Sequence, residues 1–82
     1  MKFAKLFDID ESTQVLVQRE IDEKEEEAPY RMKVSTDYDG IFAAFTYSFK
    51  HVASCDLAFE NYDLTTATNF HCEIVKAIEL GE

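Results

Sequence analysis

The sequence has 82 residues and a net charge of −9, from 17 Asp and Glu residues against 8 Lys and Arg residues. A chain of this length buries about 60 to 65 percent of the surface that its unfolded form exposes, so we expect one domain with one small core. The acidic balance argues against direct binding to DNA, RNA or an anionic membrane, because each of these ligands is itself negatively charged. Hydrophobic residues make up 46% of the chain, which is enough to fold.

The first two predicted elements are strands. Residues 2–9 (KFAKLFDI) fit either a strand or a helical turn, and we favour a strand because residues 10–12 (DES) are typical of a short hairpin loop. Residues 13–21 (TQVLVQREI) place Val15 and Val17 on one face, which is the period of a strand.

A hairpin is predicted for the next two strands, residues 30–38 and residues 41–49. Apolar and polar side chains alternate along residues 30–38, as in a strand with one buried face. Asp39 and Gly40 then form a dipeptide that favours a type I′ turn, which needs positive φ at both positions. If these two residues are the whole turn, the aromatic and aliphatic residues of both strands fall on the same face.

Two helices follow, because the apolar period changes after Phe49. Their predicted ranges are residues 50–60 and residues 64–80, with Asp63 as the N-cap of the second helix and Gly81 as its stop. The order ββββαα predicts an α+β fold, in which a four-stranded antiparallel meander carries both helices on its aromatic face as a two-layer sandwich.

Four residues could in principle ligate zinc: His51, Cys55, His71 and Cys72. His71 and Cys72 are adjacent on a predicted helix and point about 100 degrees apart, so they could hardly reach one tetrahedral ion together. We therefore expect no metal site here, with Cys55 in the core and His71 at its border. With only two cysteines, a disulfide framework is not expected, and both are predicted to be free thiols that are buried or half-buried.

Residues 8–19 begin like a calcium loop but fail to continue as one. Thr13 stands where the loop needs glycine, and Arg19 stands where a bidentate glutamate belongs. Catalytic motifs are missing as well, since the sequence has no nucleophile elbow, glycine-rich phosphate loop or H-E-x-x-H motif. We expect a protein that is not an enzyme and needs no cofactor.

Phe42 is predicted to lie on the polar face of the hairpin, where a large apolar ring would be partly exposed. It is either a lone surface aromatic or an anchor for a partner. The stretch IDEKEEEAP, residues 21–29, crowds carboxylates just before the next strand. This stretch either serves solubility or presents charge at a density close to that of nucleic acid, because side chains on a strand repeat about every 3.3 Å.

These features define a predicted partner-binding set. Its members are acidic residues of the loop and hairpin together with one aromatic residue: Glu20, Asp22, Glu23, Glu25, Glu26, Glu27, Asp37, Asp39 and Phe42.

In length, net charge and clustered carboxylates such as Glu23 and Glu25, the chain resembles the small acidic inhibitors encoded by bacteriophages, including anti-CRISPR proteins and DNA mimics. This resemblance implies a protein that blocks a basic, nucleic-acid-binding surface of a partner protein and has no direct contact with nucleic acid. The alternative is a structural or regulatory module that self-associates, for instance as a homodimer, through the edge of the first strand or the Phe42 face.

The expected compartment is the cytoplasm, or the host cytoplasm if the protein is encoded by a phage. Lys5 and Asp8 interrupt the apolar residues near the start, so the first ten residues lack the apolar segment of a secretory signal. No stretch approaches the roughly 20 apolar residues of a membrane helix.

Overall fold

The structure is a computed structural model that describes residues 4–21, 24 and 26–81. Its strands and helices, in chain order, are β1 (Ala4–Asp10), β2 (Thr13–Ile21), β3 (Tyr30–Tyr38), β4 (Ile41–Phe49), α1 (Val52–Asn61) and α2 (Leu64–Leu80). The strands form one antiparallel sheet in the order β1-β2-β3-β4. The predicted α+β fold with the order ββββαα is confirmed.

The bounds of β2, β3, β4 and α2 agree with the sequence prediction. For β1 we predicted residues 2–9; the strand ends at Asp10, and residues 2 and 3 lie outside the described part of the chain. For α1 we predicted residues 50–60, but the helix begins at Val52 because His51 is still extended, with φ −120° and ψ 137°.

The β3–β4 turn has the predicted conformation. Asp39 has φ 53° and Gly40 has φ 77°, so both central residues are in the left-handed region that a type I′ turn requires. Tyr38 pairs with Ile41, and the register continues without interruption to the pair of Tyr30 and Phe49. The turn therefore sets which β4 side chains face the helices.

The β1–β2 turn is held by Asp10. Its carboxylate accepts hydrogen bonds from the Ser12 backbone N–H at 2.9 Å and from the Ser12 hydroxyl at 3.1 Å. The backbone bond stabilises the charged form, so it lowers the pKa of Asp10 below its ordinary value. The calcium-like start of this segment is thus used for turn formation.

The core lies between the sheet and the two helices. Its buried residues are Val15, Val17, Met32, Val34, Phe59, Tyr62 and Ala67. The four sheet residues come from β2 and β3, the two central strands of the sheet order. Each fully buried aliphatic side chain contributes about 1.5 to 3 kcal/mol relative to an exposed one, so the central strands carry a large part of the apolar stabilisation.

Phe59 connects α1 to two cations of the sheet. The Lys5 ammonium lies 4.6 Å from the centre of the Phe59 ring, and the Arg19 guanidinium carbon lies 5.5 Å from it. Lys5 also donates to the carbonyls of Phe59 and Glu60, which belong to the last turn of α1. Arg19 is further paired with Asp56 at 2.8 Å. These contacts attach α1, which packs on β2, β3 and β4, to cations of β1 and β2.

The predicted ends of α2 are confirmed. Asp63 is the N-cap, and its carboxylate accepts from the Thr66 backbone N–H at 2.9 Å, which lowers the pKa of Asp63. At the other end, Gly81 donates from its N–H to the Ala77 carbonyl. Gly81 has φ −77°, so the helix ends there without the left-handed residue that often follows a helix.

The helices do not cover the aromatic face evenly. Both helices lie on this face as predicted, but α2 packs mainly on β1, β2 and β3. On β4, Phe45 is 54% exposed and Tyr47 is 40% exposed, although both side chains point to the helix side of the sheet. One edge of that face is therefore left open. Within the described residues, neither helix has the length and apolar content needed to cross a membrane.

Candidate binding surface

The sheet face opposite the helices, here called the open face, carries a row of side chains near the two hairpin turns. Strand pairing sets Asp8 opposite Gln14 and Asp37 opposite Phe42. The Gln14 amide donates a hydrogen bond to the Asp8 carboxylate at 2.8 Å. Because Val15 pairs with Thr36, the register also places Gln14 beside Asp37. The row thus runs from Asp8 across the sheet to Phe42.

Phe42 is the most exposed aromatic side chain described, at 68%. Beside its row lie Leu6, which is 57% exposed, and Leu16, which is half-buried and pairs with Leu6. A shallow depression of about 270 Å³ lies between Leu6, Leu16 and Phe42 and also contacts Asp37. Exposed apolar groups on both sides of a depression, with a carboxylate next to them, are typical of an interaction surface.

Carboxylates collect at the end of the sheet where both turns lie, because turns β1–β2 and β3–β4 fall at the same end of an antiparallel meander. Glu79 of α2 joins them, since its carboxylate accepts from the Tyr38 hydroxyl at 3.0 Å. We call this group the acidic turn end. It consists of Asp8, Asp10, Glu11, Asp37, Asp39 and Glu79.

The structure divides the predicted partner-binding set. It brings Asp37, Asp39 and Phe42 together at the acidic turn end. Glu20 lies at the opposite end, where it pairs with Arg31. Exposed Glu26 and Glu27 belong to the β2–β3 loop, residues 22–29, at that same opposite end, and Asp22, Glu23 and Glu25 lie outside the described residues. The set is therefore not one surface.

The loop end also carries positive charge. Lys24 lies within the loop, and Lys50 follows β4 directly; both are exposed. Arg31 on β3 adds a third cation in the row of Glu20. Among the described residues, cations and carboxylates are mixed at the loop end, so the acidic turn end is the better candidate for a basic partner.

A second exposed apolar region was not predicted from the sequence. It is a groove of about 400 Å³ between β4 and α2, whose apolar walls are Phe45, Tyr47, Phe70 and Ile74. The rings of Phe45 and Tyr47 lie 4.8 Å apart at an interplanar angle of 52°. Tyr62 lies at one end of the groove, where burial and the nearby Tyr47 raise the pKa of Tyr62 to about 12.

Sequence periodicity assigned Phe45 and Tyr47 to the core, because it shows which face of a strand is apolar but not which strands a helix covers. The sequence of β4, IFAAFTYSF, gave no signal that this strand is an exposed edge, because it contains no charged residue. Edge strands usually carry charges or proline that discourage pairing with another chain.

The cysteines and histidines do not form a reactive cluster. Cys55 is buried, its thiol donates to the Arg31 carbonyl at 3.7 Å, and burial raises its pKa. His71 Nδ1 lies 3.0 Å from the Thr36 hydroxyl oxygen. The Thr36 hydroxyl donates to the Gln14 carbonyl, which makes His71 Nδ1 the donor toward Thr36. Both residues are thus used in packing and hydrogen bonding.

Cys72 is a free and exposed thiol, whereas we expected a buried or half-buried one. Among residues 4–21, 24 and 26–81, no three side chains of His, Cys, Asp or Glu are arranged to hold a metal ion.

Comparison with protein-family models, curated proteins and solved structures finds no match to this chain.

Proposed function

We propose that this chain is a non-enzymatic acidic binding protein that docks its acidic turn end on a basic surface of another protein. One observation carries the proposal: Phe42 is 68% exposed and lies directly opposite Asp37 on the open face, so an apolar anchor and a carboxylate share one site. The net charge of −9 gives the whole molecule an attractive field toward such a partner.

The two chemical features of the site act on different steps of binding. Carboxylates that face a basic patch accelerate encounter, because opposite potentials steer diffusion. Phe42 and Leu6 then exclude water from the contact and slow dissociation, as buried aromatic anchors do in other interfaces. The site therefore combines fast association with a specific geometry.

The partner we propose is a protein whose basic surface binds nucleic acid. Carboxylates of Asp8, Asp37 and Asp39 would occupy positions that phosphates otherwise take, and the two ligands would exclude each other. This is the mode of action that the resemblance to phage-encoded inhibitors implies. The acidic turn end supports it by presenting negative charge without requiring any bound cofactor or catalytic group.

A test compares variants of equal charge at the two ends of the sheet. The probe is an immobilised Arg- and Lys-rich peptide, with a fluorescent single-stranded oligonucleotide as competitor. We expect the double variant Asp37→Asn with Asp39→Asn to bind the peptide more weakly, and its affinity should depend less on salt concentration. The matched control, Glu26→Gln with Glu27→Gln, removes the same charge from the loop end and is expected to bind nearly as the parent does.

Phe42→Ser tests the anchor, and Leu57→Ser is its control because Leu57 is also exposed, at 62%, but lies on α1. We expect Phe42→Ser to weaken binding on the order of tenfold, mainly through faster dissociation. If the loop-end variant weakens binding as much as the turn-end variant, or if Phe42→Ser has no effect, the proposed site is wrong. The oligonucleotide must also compete with the protein for the peptide.

A further inference from the structure

A second, independent inference concerns the free edge of β4. β4 lies at one end of the sheet order, so alternate backbone N–H and C=O groups along it face away from β3. Most of its side chains are exposed on both faces, including Ile41, Phe42, Phe45 and Tyr47. The strand contains no charge, no proline and no glycine that would discourage pairing.

We propose that two copies of the chain pair through antiparallel β4 strands, with Phe45 of one copy opposite Phe45 of the other. This register is self-complementary in size. It sets Phe42 opposite Ser48, Ala43 opposite Tyr47, and Ala44 opposite Thr46, so that a large side chain meets a smaller one in each of these pairs. The result is a continuous sheet of two copies related by a twofold axis.

Hydrogen bonding permits the same register. Tyr38 and Ile41 flank the two-residue turn, so Ile41 directs its backbone bonds toward β3, and Phe45 does so four residues later. Ala44 and Thr46 then direct their N–H and C=O groups to the free edge, and in the proposed register they lie opposite each other. The central pair of Phe45 residues is a non-hydrogen-bonded pair, in which side chains come closest.

Charge complementarity favours a second copy of the chain as the partner that pairs with the free edge of β4. The antiparallel arrangement brings the β3–β4 turn of one copy beside the residues that follow β4 in the other. Asp39 of one copy then lies near Lys50 and His51 of the second copy, and symmetry repeats this contact. Along the paired strands there are no charges to repel each other, although each copy has a net charge of −9.

The groove between β4 and α2 would add contacts between the two copies on the helix side of the sheet. Its volume of about 400 Å³ lies next to Phe45 and Tyr47, so it can receive the Phe45 and Tyr47 rings of the second copy. Phe70 and Ile74 would then contact apolar groups in place of water. Asp39 and Phe42 belong both to this interface and to the surface proposed for a basic partner, so dimer formation and partner binding would compete for these two residues.

Cysteine cross-linking tests the register. Cys72 is exposed, so the test uses a Cys72→Ser background, in which Cys55 remains buried. Phe45→Cys should form a disulfide between copies under mild oxidation, because a non-hydrogen-bonded pair has Cα atoms about 4.5 Å apart. Ile41→Cys is the control on the same strand face: its two copies would be about 26 Å apart and should not cross-link.

Sedimentation of the unmodified chain gives the second measurement. We expect the apparent mass to approach twice 9.5 kDa as protein concentration rises. Lys50→Glu should shift this association to higher concentration than Lys76→Glu, which changes the net charge equally but lies on exposed α2 beside Glu73. A monomer at all concentrations, cross-linking of Ile41→Cys as readily as of Phe45→Cys, or no cross-link in either variant would overturn the proposal.

Discussion

The Lys5 ammonium lies 4.6 Å from the centre of the Phe59 ring and donates to the Phe59 carbonyl, so one cation contacts both the side chain and the end of α1. Helix ends leave carbonyl groups without helical partners, and a cation there also interacts favourably with the helix dipole. A residue of β1 thus completes a helix that begins more than forty residues later in the chain.

We predict that Lys5→Met destabilises the fold by about 1 to 3 kcal/mol, because it keeps the apolar stem but removes the charged hydrogen bonds to the helix end. Urea unfolding followed by circular dichroism measures the change. Lys76→Met is the control, since Lys76 is exposed and its 3.7 Å pair with Glu73 should contribute less than about 0.5 kcal/mol. Equal effects of the two substitutions would show that the Lys5 contacts do not stabilise α1.

A second prediction concerns alkaline unfolding. The pKa of Tyr62 is raised to about 12 from an ordinary value of 10, because burial disfavours the phenolate. The folded state therefore binds the Tyr62 hydroxyl proton more tightly than the unfolded state does. The free energy of unfolding keeps its full value below pH 10 and falls as pH rises toward 12. At about pH 11 the loss is on the order of 1 kcal/mol.

Tyr62→Phe removes the ionising group and should flatten this part of the stability profile. The measurement is urea unfolding of the parent and the variant at about pH 8 and about pH 11, with phenolate formation followed by ultraviolet absorbance. The parent should lose more stability between the two pH values than the variant does. An identical pH dependence in both proteins would contradict a buried, neutral Tyr62.

The third prediction uses the two cysteines as internal references. Cys72 is exposed, whereas Cys55 is buried with a raised pKa, so iodoacetamide should modify Cys72 at least about tenfold faster in the folded protein. Peptide mass spectrometry after timed quenching gives the two rates. In concentrated urea the rates should converge, and a persistent difference there would mean that burial is not the cause.

The β3–β4 hairpin was predictable because two local signals agreed. The alternation along residues 30–38 and the Asp39-Gly40 turn each imply the same register, and neither depends on the rest of the fold. The N-cap at Asp63 was predictable for the same reason, since a cap is a contact within one turn of helix.

The placement of the helices could not be derived in this way. Periodicity predicted the apolar face of β4, but contacts distant in the sequence, such as His71 with Thr36 and Tyr38 with Glu79, hold α2 on β1, β2 and β3. These contacts leave Phe45 exposed. A pattern within one strand contains no information about them.

The candidate site shows a related limit. The sequence prediction centred on the loop around Glu26, because acidic residues are consecutive there. The acidic turn end is assembled by strand pairing instead, because Asp8 and Asp37 are far apart in sequence but occupy one row of the sheet. The predicted meander order already implied the acidic turn end, because it places both hairpin turns at one end of the sheet.

The two edges of the sheet have different chemical characters. β1 carries exposed Asp8 and Asp10, whereas β4 carries no charge at all. Once the β4 edges of two copies are joined, each remaining outer edge is a β1 strand whose carboxylates repel another β1 edge and oppose further strand addition. In the proposed dimer the sheet would therefore grow once and then stop, which would protect an aromatic-rich acidic protein from open-ended fibre formation.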